Sequence, residues 1–161
     1  MQAHVQLRVL YKGAMASYEK RTWWSRHGLT ERLADDAFLE AAVSCAFLVA
    51  AADGSQSDTE YDALLDRLEI LGGIERDKID ELLTAVSSEV EASGGFEPRI
   101  ARLADLIKTR EAAEAVMMLG IAIALADDDF SAEEREVATQ IAMSIGLGRI
   151  DLDSLVIDIR G

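Results

Sequence analysis

The sequence predicts an all-α fold, a compact bundle of about seven helices with an internal pseudo-two-fold repeat. Three observations predict it. Half of the residues are hydrophobic, yet only 6% are aromatic and a single proline is present, a composition that favours helix over sheet. Two apolar runs, residues 41–52 and 115–126, are too continuous for surface elements, and the other apolar positions recur at helical spacing. Finally, superposing AAADGSQSDTE (residues 50–60) on ALADDDFSAEE (residues 124–134) puts Asp53 on Asp127, Ser57 on Ser131, Glu60 on Glu134 and Gly72 on Gly146, a constant offset of 74 residues. An offset held over such a length is the mark of an internal duplication.

With 161 residues the chain fits one domain of ordinary size. Residues 1–32 read as a basic leader, with one or two short helices, that packs on or extends from the body; residues 33–161 read as the helical domain. The first body element, ADDAFLEAAVSCAFLVAAAD, has Asp35 or Asp36 as its cap and an apolar run broken only by Ser44. A helix apolar on nearly every face belongs at the centre. SDTEYDALLDRLEILGG carries leucines 64, 65, 68 and 71 at helical spacing, opens with S-x-x-E and stops at two glycines. IERDKIDELLTAVSSEVEASGG repeats that grammar with Ile79, Leu82, Leu83 and Val86. PRIARLADLIKTR places Pro98 at a first helical position, where its missing N–H is harmless.

EAAEAVMMLGIAIALADDD then supplies a second central helix, SAEEREVATQIAMSIG its amphipathic partner, and LDSLVIDIRG a short final element. The two central helices are expected to pack against each other. At twelve residues neither apolar run can span a bilayer, which takes about 20.

The charge is unevenly spread. Residues 1–32 hold six Lys or Arg against Glu19 and Glu31, so that segment carries +4 and the remainder −18 of the net −14. Such a body repels nucleic acid and attracts cations or basic protein surfaces. The one cysteine, Cys45, has no partner and sits in an apolar segment, which excludes a disulfide scaffold and points to a reducing compartment. The first residues show no apolar core followed by a cleavage site, so no secretory signal is expected and a cytoplasmic location is.

The paired acidic turns hold the candidate site. Ser57 and Ser131 can cap the helices they start, with Glu60 and Glu134 reaching back as capping-box partners. Asp53 and Asp127 are harder to explain, because they follow the carboxyl ends of apolar helices, where the dipole is negative. Asp128 and Asp129 add to the second turn, and clustered carboxylates repel unless a cation or a proton relieves them. Asp53, Glu60, Asp127, Asp129 and Glu134 are therefore the candidate metal ligands, with Ser55, Ser57, Ser131 and Glu133 nearby. An all-oxygen set suits Ca²⁺, Mg²⁺ or Mn²⁺ rather than zinc or copper. Neither turn is an EF-hand, since the twelfth positions are Leu64 and Ala138. Capping alone and cation binding both remain readings of these turns, whether the turns converge on one site or form two.

Over residues 38–155 the chain resembles the TerB family of bacterial tellurite-resistance proteins. The resemblance rests on EAAEAVMMLGIAIALADDDFSAEEREVATQIAMSIGL, with its GIAIA run, acidic turn, Phe130 and following Glu, and on the Asp53-Gly54 turn of FLVAAADGSQSDTE. Asp128 departs from it where the second turn usually has glycine, and Gln56 where an apolar residue is common. The resemblance implies a helical domain with internal two-fold pseudosymmetry and a cytoplasmic role in resistance to tellurite and related stresses. It also implies acidic turns that bind divalent cations, carried over to Asp53, Glu60, Asp127 and Glu134. The partners it implies are other proteins of the resistance system, among them an integral membrane protein, with the chain at the inner face of the cell membrane.

No catalytic residue is assigned. His4 and His27 lie in the basic leader away from the acidic turns, and there is no Glu-x-x-His motif and no Gly-rich phosphate loop. The expected function is thus a non-catalytic interaction or sensor module that takes a divalent cation. One alternative is a membrane-surface scaffold without metal, in which Trp23 and Trp24 beside Lys20, Arg21 and Arg26 lie in a lipid interface; the same tryptophans could instead pack the leader onto the body. Another is a metal-dependent hydrolase built on the carboxylates.

Overall fold

The computed structural model describes residues 26–52, 58–125 and 130–160, and within these the side chains of residues 58–60, 71, 72, 150 and 151 lie outside the description. Among the described residues there are eight helices and no strand. They are α1 (Leu29–Arg32), α2 (Asp36–Ala50), α3 (Asp58–Gly72), α4 (Arg76–Ser93), α5 (Glu97–Leu106), α6 (Arg110–Ala124), α7 (Ala132–Ser144) and α8 (Arg149–Arg160).

α2 starts where the sequence offers a cap: the Asp35 carboxylate accepts the Phe38 N–H at 3.1 Å. Its side chains from Ala41 to Val49 are all buried, Ser44 and Cys45 included. No surface helix could hide so continuous a run, so α2 becomes the hub and packs against α3, α4, α5, α6 and α7. α6 is the second buried helix, capped by the Thr109 hydroxyl, which accepts the Ala112 N–H at 3.1 Å. Each fully buried Leu in this pair, such as Leu39, Leu48 and Leu119, contributes about 1.5–3 kcal/mol relative to an exposed position.

The approach of α2 to α6 is set by one missing side chain. A Cβ on Gly120 would lie 2.6 Å from Cys45 Sγ, closer than real atoms come, so the sulfur occupies the space the glycine leaves. Beside it the Cys45 thiol lies 3.9 Å from Met117 Sδ. Both central helices are thus read correctly from their apolar runs, and so is their contact.

The remaining helices lay one apolar stripe each on this pair. α3 buries Leu64, Leu65, Leu68 and Ile70; α4 buries Ile79, Leu83 and Val86; α5 buries Ile100 and Leu103. Arg99 on α5 is buried as well, and it ties three helices. It donates from Nη1 to Glu40 of α2 at 2.9 Å and from Nη2 to Glu89 of α4 at 3.2 Å. Tyr61 joins α3 to α4 by donating to Asp80 at 3.0 Å.

Three local details differ from the sequence reading. α5 begins at Glu97, one residue before Pro98, a shift of the size that fraying helix ends allow. Gly72 stays inside α3, and Gly73 takes the left-handed conformation at φ 63°, whereas after α7 it is Gly146, the residue 74 positions beyond Gly72, that does so at φ 95°. The last element is no short appendage: Leu152, Leu155, Val156 and Ile159 form a full helical stripe, and α8 runs for 12 residues against α6 and α7. Among the described residues no helix is long and apolar enough to cross a membrane.

Candidate functional site

The acidic turns sit where the two buried helices end. The α2 backbone closes at Ala51, whose N–H donates to the Phe47 carbonyl, and α6 closes at Leu125, whose N–H donates to the Ile121 carbonyl. Asp53 follows the first closure, and Asp127 and Asp129 follow the second; all three lie outside the described residues. Glu60 falls in the first turn of α3, with its side chain outside the description. Glu134 is the one candidate ligand whose side chain is described.

Its carboxylate has a defined job. Glu134 Oε1 accepts the Ser131 N–H at 3.0 Å while Ser131 Oγ accepts the Glu134 N–H at 3.1 Å, a reciprocal capping box at the start of α7. The S-x-x-E pattern alone had pointed to it. Phe130, partly buried against the core, carries the Arg135 guanidinium 6.0 Å above its ring, and Arg135 also pairs with Asp153 of α8. The exit of the second turn is therefore anchored on the core, on α7 and on α8 at once. Among the described residues no group of three His, Cys, Asp or Glu side chains is placed to hold a metal ion.

The described ionisable groups include two in unusual surroundings. Burial pushes the Cys45 thiol up to about 12, which leaves it protonated and a poor nucleophile. The His27 side chain is only 9% exposed, with Nδ1 3.9 Å from Glu114 of α6. Burial lowers its pKa from the ordinary histidine value, with Arg26 and Arg32 acting in the same direction and Glu114 and Asp158 opposing. The tryptophans Trp23 and Trp24, with Lys20 and Arg21, lie outside the described residues. Arg26 is described, and it pairs with Asp158 of α8 at 2.8 Å.

The sequence reading passed over this corner. Leu29 and Leu33 are both buried in the core, and their four-residue spacing was the available sign that the chain is already packed here. The contact of His27 with Glu114 had no sign in sequence, because it joins residues far apart along the chain.

The arrangement is that of an acidic helical module with two buried helices opening onto paired acidic segments. A family model described as tellurite resistance protein TerB matches residues 39–156. The chain belongs to the TerB family. Neither a curated protein nor a solved structure matches it. The TerB match begins inside α2 and ends inside α8, so it takes in both buried helices and both acidic segments, and it leaves out α1 and the residues before it.

Proposed function

We propose that this TerB-family chain is a non-catalytic interaction or sensor module of a tellurite and stress resistance system, and that its duplicated acidic turns take up a divalent cation. Ca²⁺, Mg²⁺ and Mn²⁺ are the ions suited to Asp53, Glu60, Asp127, Asp129 and Glu134. The observation that supports the reading is one of chain order: α2 and α6, which pack against each other, are each followed directly in the sequence by a carboxylate-bearing segment. A helix carboxyl end does not favour that charge, and a bound cation would relieve it. The protonated, buried Cys45 supports a role other than catalysis. Other proteins of the resistance system, an integral membrane protein among them, are the proposed partners, and the internal two-fold repeat is the proposed origin of the paired turns.

Calorimetric titration of chelator-stripped protein with Ca²⁺, Mg²⁺, Mn²⁺ and Zn²⁺ tests the reading. Saturable heat with one of the first three ions, lost in Asp53→Asn or Asp127→Asn, is expected. No heat with any of them at millimolar concentration would return the turns to helix capping.

A further inference from the structure

A cavity of about 310 Å³ opens between the segment leading into α1, the first turn of α6 and the last turns of α8. It lies at the end of α6 opposite the second acidic turn, about 22 Å along a 15-residue helix. Its wall includes Arg26, His27, Arg32, Glu111, Glu114 and Asp158. Several of these are already occupied. Arg26 donates to Asp158, Glu114 pairs with Arg110 at 3.2 Å, and Arg32 Nε donates to the His27 carbonyl at 2.9 Å.

Two groups are left with capacity to bind, the Glu111 carboxylate and the Arg32 guanidinium. His27 lines the cavity as well, but its Nε2 is sealed from solvent and is not among them. Among the described residues, the Glu111 carboxylate has no ion-pair partner and Arg32 faces no carboxylate within ion-pair reach. A carboxylate for a cation and a guanidinium for an anion therefore face one small volume, at the low end of the range for ligand pockets. Two guanidinium groups against three carboxylates leave the wall negative, which disfavours an inorganic anion. Among the described residues no three acids or histidines are grouped to hold a bare metal ion.

We propose that this cavity binds a free α-amino acid with a neutral or basic side chain. Arg32 takes its carboxylate in a charge-assisted pair and Glu111 takes its ammonium, while the His27 side chain forms part of the wall beside them. The site is separate from the acidic turns and does not depend on a metal there.

The test uses the full chain in the presence of chelator, so that the turns contribute nothing. The chain has two histidines, His4 and His27, and a His4→Gln variant assigns the His27 imidazole signals by NMR. L-lysine is titrated beside cadaverine, which lacks the carboxylate, and hexanoate, which lacks the amines. A saturable His27 shift is expected with L-lysine, at least about tenfold tighter than with either half and weakened about tenfold or more by Glu111→Gln. Glu111 is exposed and makes no ion pair among the described residues, its one structural contribution being its charge in the first turn of α6, so that variant should stay folded and carry the test even if Arg32→Gln perturbs the fold. Equal affinity for cadaverine or hexanoate, an unchanged affinity in Glu111→Gln, or no saturable shift with L-lysine or L-glutamine at tens of millimolar would each overturn the proposal.

Discussion

Gly120 and Cys45 share one volume, and each limits what the other position accepts. A Gly120→Ala methyl would meet the sulfur at 2.6 Å and the Cys45 Cβ at 3.5 Å, so overpacking should cost about 1–3 kcal/mol in urea denaturation. Cys45→Ala in the same chain removes the nearer atom and should recover much of that loss. A double mutant no more stable than Gly120→Ala alone would show that the close approach lies elsewhere. His27 allows a second prediction. Its pKa is lowered in the folded protein, so between that value and the unfolded value near 6.5 the unfolded chain binds the additional proton. The contribution is complete above the unfolded pKa and is lost as pH falls through the folded one. Urea midpoints should therefore drop on acidification below pH about 6.5, and His27→Gln should show a shallower drop.

At the scale of elements, caps carry much of the local information. Ser131→Ala removes the acceptor for the Glu134 N–H and should destabilise the protein by about 1 kcal/mol. If Glu134 is chiefly a capping residue, this loss will be the same with and without divalent cations; a loss that appears only with metal would place its carboxylate on an ion. Ser131 with Glu134, and Asp35, were legible because a cap joins residues three apart, within reach of a short pattern. The apolar runs of α2 and α6 were legible because burial on every side leaves no polar face. α8 was under-read because Asp151, Asp153 and Asp158 punctuate its apolar stripe. The Arg99 clamp and the cavity beside His27 could not be read at all, since Glu40, Glu89 and Glu114 reach them only through tertiary packing.

Across the whole molecule, a net charge of −14 opposes compaction. Adding salt shortens the screening length from about 30 Å at 0.01 M to about 8 Å at 0.15 M, so the melting temperature should rise over that range and then level off. Mg²⁺ or Ca²⁺ at matched ionic strength should raise it further if the acidic turns hold an ion, and no further if they do not. The position of α2 also has a consequence for how the chain comes to fold. Its closest central partner lies 75 residues downstream, from Cys45 to Gly120, so the most apolar helix is made long before the surface that covers it. At about 5–20 residues per second that interval is roughly 4–15 s. Ribosome-held chains that end before α6 should accordingly bind a hydrophobic dye or a chaperone strongly, and chains that include α6 should not. For this protein, the vulnerable period of biosynthesis is set by the order in which two interior helices emerge.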